Sequence, residues 1–244
     1  RTSAAGNTGR STYDDCNNIL TSAAPGRTVT TTYVWGDTEA EKRKHLLQYA
    51  TSPLGTKTSY LYDPYGNLTQ TKIEDSTGST LKYIQTNVTY TSAGTYVATQ
   101  TDARGKTVTT TTDPDKGVVT KVTDPMHQEV SSQYDTLRRL TKTSTMLNGQ
   151  EVKSENTYDS TTGYLTATTH NTTTAASGNV TYSFGYDSLG RQTTVSVGSN
   201  VLSTTAYNAL LRTVESVTFG NGGAVQYLYD SFSRVIGIRY DGAQ

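Results

Sequence analysis

Tyr186-Asp187-Ser188-Leu189-Gly190-Arg191 is the stretch on which the fold of this chain turns. Asp187 stands where a type I turn takes a side-chain acceptor, and Gly190 stands three residues on, where such a turn takes glycine. A type I turn closed by a left-handed residue is a common β-hairpin reversal and carries a G1 bulge. Asp63-Pro64-Tyr65-Gly66 has the same spacing, with proline presetting the first central residue, and Asp102-Ala103-Arg104-Gly105 repeats it. Hairpin reversals are therefore expected at Gly66, Gly105 and Gly190.

The motif recurs along the chain. Tyr-Asp pairs begin at Tyr13, Tyr62, Tyr134, Tyr158, Tyr186, Tyr229 and Tyr240. Thr-Asp versions begin at Thr101, Thr112 and Thr123, and Tyr207-Asn208 is a further variant. Between Thr101 and Tyr134 the step is about 11 residues, and later it is about 21–28, the signature of a duplicated supersecondary unit. Large residues alternate ahead of the turns: Tyr182, Phe184 and Tyr186; Val225, Tyr227 and Tyr229; Ile236, Ile238 and Tyr240. Period-two spacing puts each set on one strand face, with Thr181, Ser183 and Gln226 on the other. The expectation is one packed face and one wet face. Each motif tyrosine then ends its strand on the packed side, its hydroxyl in reach of a polar partner.

Several turns lack the glycine: Arg138 follows Asp135, His127 follows Asp124, Ser233 follows Asp230 and Leu211 follows Asn208. A β-carbon at positive φ costs about 1 kcal/mol, so these turns either absorb that cost or adopt another loop. One segment departs from the β pattern. Thr38-Glu39-Ala40-Glu41 has capping-box spacing, and good helix formers run on to Ala50 before Pro53. A short helix over 38–50 is expected, as an insertion at 37–53 within a single array spanning 1–244.

Composition agrees with a polar all-β chain. Of 244 residues only 33% are hydrophobic, 18 are tyrosine, and about a fifth are threonine, whose β-branch favours strands. The 21 basic and 21 acidic residues cancel, which removes the long-range attraction that nucleic-acid binding uses. No apolar run reaches the ~18 residues of a membrane span, and no signal peptide opens the sequence. The one cysteine, Cys16, forms no internal disulfide.

The copies at 186–191 and 62–68 resemble the YD repeat of RHS proteins, a family of bacterial polymorphic toxins, wall-associated proteins, shell components of insecticidal toxin complexes and animal teneurins. The resemblance covers nearly the whole chain and is loosest over 14–58 and 69–100. It implies tandem antiparallel hairpins in a curved, spiralling sheet that builds a hollow shell around a C-terminal effector. It further implies that this chain is a length excised from a longer polypeptide. The repeat residues carrying it are Tyr62, Asp63, Gly66, Asp102, Gly105, Tyr134, Asp135, Tyr158, Asp159, Tyr186, Asp187, Gly190, Arg191, Tyr207, Tyr229 and Asp230. The partners implied are the remainder of the same shell polypeptide and an enclosed effector, and open sheet edges add self-association.

Catalytic chemistry is scarce in the sequence. His45, His127 and His170 lie far apart with no cysteine cluster, nucleophile elbow or phosphate loop. The recurrent aspartates are explained by hydrogen bonding within turns; Asp113 and Asp115 are the nearest to a cation pair. No cofactor or catalytic residue is therefore assigned, and the expected role is a non-catalytic scaffold of a secreted or cell-surface protein. The alternative is an adhesion or carbohydrate-binding module using exposed tyrosines against a cell-surface glycan. The rival fold is a parallel β-helix with ~22-residue coils. Asn-x-Ser/Thr sites begin at Asn67, Asn87, Asn171 and Asn179.

Overall fold

A computed structural model describes residues 8–25, 27, 29–75, 82–171 and 178–242. The chain divides into two units, Arg1–His127 and Gln128–Gln244. In the first, ten strands follow one another: β1 (Arg10–Tyr13), β2 (Ile19–Ala23), β3 (Thr31–Val34), β4 (Tyr49–Thr51), β5 (Lys57–Tyr62), β6 (Leu68–Asp75), β7 (Lys82–Tyr90), β8 (Val97–Thr101), β9 (Thr107–Asp113) and β10 (Val118–Thr123). Each pairs antiparallel with the next, so the unit is an up-and-down meander. The second unit repeats the scheme with β11 (Glu129–Tyr134), β12 (Leu140–Leu147), β13 (Gln150–Tyr158), β14 (Leu165–His170), β15 (Val180–Tyr186), β16 (Gln192–Val197), β17 (Asn200–Tyr207), β18 (Val214–Phe219), β19 (Ala224–Tyr229) and β20 (Val235–Asp241). Its pairings are also antiparallel and sequential. Hairpin reversals at Gly66 and Gly190 rule out parallel β-helix coils.

The meander explains both repeat lengths. One strand with its turn takes about 11 residues, so consecutive short steps alternate between the two edges of the sheet. A step of about 22 spans two strands and returns to the same edge. In the second unit every reversal after β11, β13, β15, β17 and β19 belongs to a Tyr-Asp or Tyr-Asn motif, all on one edge. The opposite edge uses short turns, among them Asn148-Gly149, with φ of 51° and 78°, as a type I′ hairpin requires.

Neither face of the sheet is covered by another layer among the described residues. No described hydrophobic side chain is fully buried, and the one buried polar side chain is Asn18, 3% exposed. The expected contrast of packed and wet faces gives way to a single layer in which motif tyrosines are half-buried against neighbouring strands. On β20 even the alternating set is open, with Ile236 68% and Tyr240 74% exposed, because no further strand lies beside it among the described residues. Threonine supplies cross-strand cohesion: hydroxyls of Thr89 and Thr99 meet at 2.6 Å, and those of Thr101 and Thr107, like those of Thr169 and Thr181, at 2.9 Å.

The inserted helix is shorter than its sequence suggests. α1 (Glu39–Lys42) has the expected capping box, Thr38 accepting from the Glu41 N–H and Glu41 accepting from the Thr38 N–H. It stops at Arg43, and Tyr49–Thr51 becomes β4, paired to β3 on one side and β5 on the other. Two rows of strand hydrogen bonds outweigh helix propensities of a few tenths of a kcal/mol per residue. His45, at φ 55°, makes the reversal, and its Nδ1 lies 2.5 Å from Asn18 Oδ1. Asn18 also donates to the Lys42 carbonyl, which pins the insertion to the first turn.

Candidate functional site

The distinctive chemistry of the chain is the row of aspartate turns and the bonds that run from each to the next. In the turn at Asp187, Oδ1 accepts from the N–H groups of Leu189 and Arg191, and the Gly190 N–H donates to the Asp187 carbonyl at 3.0 Å. The Asp187 N–H in turn reaches the Arg191 carbonyl at 3.0 Å. The same pattern holds at Asp14, Asp63, Asp102, Asp135 and Asp230. The residue three positions on is left-handed whether or not it is glycine: φ is 87° at Gly66, 76° at Gly105 and 78° at Gly190, and 64° at Arg138, 63° at Ser233 and 63° at His127. These non-glycine turns thus absorb the conformational cost. The turns at Asp159 and Asn208 take the other route, a loop one residue longer, with the left-handed position moved to Gly163 and Arg212. Leu211 is not the strained residue.

The carboxyls of Asp63, Asp135, Asp159, Asp187 and Asp230 are held below the ordinary aspartate value. For Asp135, Asp187 and Asp230 the first cause is the N–H of Arg139, Arg191 or Arg234, and for Asp159 it is the N–H of Thr162. At Asp63 partial burial is the largest single influence and pushes the pKa up, but the bonds from Asn67, Tyr65 and Gly66 together outweigh it.

Each motif tyrosine sits beside a register shift in its hairpin, as at Leu61/Tyr62, Thr157/Tyr158 and Gly185/Tyr186. Such bulges bend the strand and re-aim the side chain. Where the hydroxyl is bonded, the ring crosses to the preceding hairpin and the hydroxyl donates to the first carbonyl after that hairpin's turn. Tyr158 reaches Leu140 O at 2.9 Å, Tyr186 reaches Leu165 O at 2.9 Å, Tyr207 reaches Gln192 O at 2.8 Å and Tyr229 reaches Val214 O at 2.7 Å. In the first unit Tyr62 reaches Leu47 O and Tyr90 reaches Leu68 O.

At Asp63, Asp135 and Asp187 the fourth residue after the aspartate completes the stitch, and most copies of it escape a reading of the sequence. Arg139 Nε donates to Asp135 Oδ2 at 2.7 Å while its guanidinium stacks 4.4 Å from the Tyr158 ring, and Nη1 reaches Gly163 O at 3.1 Å. Arg191 repeats this on Asp187 and on Tyr207, at 4.3 Å. Asn67 does the same work with an amide, joining Asp63 Oδ2 to Gly94 O. Only Arg191 of this set is conspicuous in the sequence; the recurrence of Asn or Arg four residues after Asp is the signal that identifies the others. Tyr164, next to Gly163, packs on Tyr186 with ring centroids 4.9 Å apart.

Outside the turns the chemistry is sparse. His170 lies edge-on to Tyr182, and Cys16 Sγ donates to Glu39, a bond that first among its causes raises the thiol pKa. Asp113 Oδ1 accepts from the N–H groups of Asp115 and Lys116, a turn role. Among the described residues no group of three or more His, Cys, Asp or Glu side chains is placed to hold a metal ion. A concavity of about 780 Å³ lined by Val201, Leu202, Thr218, Phe219 and Asn221 lies open on the sheet and carries no titratable side chain. No described helix is long and apolar enough to cross a membrane. Asn67 and Asn171 already spend their side-chain amides on backbone carbonyls.

No protein-family model and no curated protein matches the sequence. Solved structures do match the fold. The chain superposes on TcdB2-TccC3 with a TM-score of 0.69 at 17% identity, covering 98% of this chain and 15% of that one. The same assembly without its hypervariable C-terminal region gives 0.69 at 16% identity, over 98% and 14%. The Tc holotoxin pore of Photorhabdus luminescens gives 0.67 at 16% identity, again over 98% and 14%. The chain therefore spans about one seventh of the length of these toxin components. The superposition, over nearly the whole chain, gives its tandem antiparallel hairpins an RHS-like fold.

Proposed function

We propose that the chain is a non-catalytic length of wall from a hollow RHS/YD-repeat shell, part of a secreted or cell-surface protein that encloses or carries a C-terminal effector. The observation that supports this reading most strongly is the stitch itself. A one-layer sheet has no core to stabilise it, and here six strands, β5, β7, β13, β15, β17 and β19, are each tied to the hairpin before them by a tyrosine hydroxyl. That construction makes a thin wall extensible by identical steps, which suits containment. The rest of the same polypeptide would supply the remaining wall. In the full-length polypeptide that contains this sequence, the segment following the repeats should resist protease at concentrations that digest the same segment expressed alone. Equal digestion of the two would sink the enclosure reading.

Exposed rings favour one second reading, an extracellular adhesion or carbohydrate-binding module. Tyr65 is 67% and Tyr83 59% exposed, and flat aromatic surfaces beside threonine and asparagine stack on sugars. Glycan-array binding abolished by Tyr65→Ala or Tyr83→Ala would support adhesion; the wall reading expects no such binding.

A further inference from the structure

We propose that the concavity between the insertion and the neighbouring strands of the first unit binds a short neutral oligosaccharide, with Trp35 and Tyr60 as its stacking surfaces and the Gln48 amide as the group that reads its hydroxyls. The space measures about 540 Å³, within the ordinary range of small-molecule sites, and Trp35, Glu41, Lys44, Leu46, Gln48 and Tyr60 are part of its wall. Every wall residue falls within 35–63, so the site is built by one continuous segment and needs no strand outside it.

Strand pairing places the three groups. The Tyr60 N–H donates to the Gln48 carbonyl at 2.8 Å, so the two residues stand opposite each other and their side chains share a face. The Gln48 N–H donates in turn to the carbonyl of Val34, the neighbour of Trp35, at 2.8 Å. Gln48 thus leads into the strand between those that bring the two rings, which sets the ring-bearing backbones two strand spacings apart, about 10 Å. Much of the wall is fixed in advance. Trp35 Nε1 donates to Ile19 O at 2.7 Å, the Tyr62 hydroxyl to Leu47 O at 3.0 Å, and Glu41 Oε2 accepts from the N–H groups of Asp37 and Thr38 at 3.0 Å. Gly36, at φ 135°, lets the insertion pack this closely, since a β-carbon there would overlap Glu41 Cβ. A preformed wall costs little ordering entropy when a ligand arrives.

The unspent chemistry selects the ligand. The side chains of Gln48 and Tyr60 make no hydrogen bond among the described residues, whereas Trp35 and Tyr62 have their polar atoms committed and offer ring surface. A wholly apolar ligand would strip water from the amide and the hydroxyl and return nothing. Glu41 and Lys44 cancel in charge, and the Asp63 carboxylate is taken up by its own turn, so no excess of either sign draws an ion. A pyranose meets both demands. Its C–H face lies on an aromatic ring, and its hydroxyls match an amide that supplies two N–H donors and a carbonyl acceptor. Two rings this far apart outreach a single pyranose, which favours a short chain of sugars over one.

Trp35 is the one tryptophan of the sequence, so intrinsic fluorescence reports on the site. Titration of the 244-residue chain with maltotriose, cellotriose and lactose should give a saturable change with at least one of them. Gln48→Leu keeps the backbone bonds at that position and removes the amide, and should weaken binding of that sugar at least about tenfold. Tyr60→Ala should weaken it by a similar factor through lost stacking, and circular dichroism checks that both variants are folded. An anionic heparin disaccharide should bind more weakly than the neutral sugar. No saturable change with any of the three, either variant binding like wild type, or tighter binding of the heparin disaccharide overturns the proposal. A signal lost in Tyr65→Ala or Tyr83→Ala and kept in both other variants places the sugar on those exposed rings, which overturns this site and leaves the adhesion reading standing. None of these outcomes bears on whether a larger shell encloses an effector, so the readings fail separately.

Discussion

Gly66 and Gly190 occupy the same position in equivalent turns, with φ of 87° and 78°, yet alanine should cost them different amounts. At either site a β-carbon in the left-handed region costs about 1 kcal/mol. At Gly66 nothing lies within 4 Å of that carbon, so the cost ends there. At Gly190 the new carbon would overlap the hydroxyl and Cζ of Tyr164. Tyr164 must swing away, which forfeits its packing on Tyr186, an aromatic contact of roughly 0.5–1.5 kcal/mol. Gly190→Ala should therefore destabilise its hairpin by about 2 kcal/mol and Gly66→Ala by about 1. Repeat arrays need not unfold in one step, so the measurement is native-state hydrogen exchange of the amides in β15 and β16 against those in β5 and β6. In a Tyr164→Ala background, Gly190→Ala should fall to about 1 kcal/mol. If alanine costs the same at Gly190 with and without Tyr164, the packing argument is wrong.

Other outcomes follow from the same geometry. Tyr158→Phe keeps the ring over Arg139 but removes the bond to Leu140 O, and should lower the stability of β12–β13 by about 0.5–1.5 kcal/mol in urea unfolding. Arg139→Lys keeps the charge beside Asp135 but loses the flat stack on Tyr158, and exchange protection should fall across both flanking turns; unchanged protection there would show the stack to be idle. Asn18→Ala removes two of the bonds that pin the insertion, to the Lys42 carbonyl and to the His45 ring, and should cost about 1–3 kcal/mol, read as faster exchange in the insertion. Acid should destabilise the array. The folded pKa values of Asp135, Asp187 and Asp230 are depressed, so their contribution is fully present above the unfolded value near 3.8 and is lost as pH falls through the lower folded values. Thermal melts from pH 6 down to pH 2 should show that loss, and Asp187→Asn with Asp135→Asn should flatten the slope.

Much of the architecture is legible in local chemistry. Asp-x-x-Gly dictates a reversal because the carboxylate satisfies turn N–H groups and glycine accepts positive φ, and period-two alternation dictates the strands between. Those rules need only neighbours in sequence, so the hairpins at Gly66 and Gly190, and the capping box at Thr38, follow without coordinates. Other features depend on residues distant in sequence. The helix ends at Lys42 because β3 and β5 are both available to pair with Tyr49–Thr51, a competition that no local propensity contains. Arg138 takes a glycine's conformation because the surrounding hairpin holds it there, while the turn at Asn208 grows one residue and moves the left-handed position from Leu211 to Arg212. The stitch is tertiary as well: a tyrosine hydroxyl meets a carbonyl 15 to 22 residues back, and the arginine on its ring is four residues from the preceding aspartate. Sequence by itself determined that the chain reverses at its aspartates and alternates between them. Only the tertiary structure decided which face, which carbonyl and which arginine each tyrosine meets, because these depend on strand pairing and on a one-residue bulge that re-aims the ring.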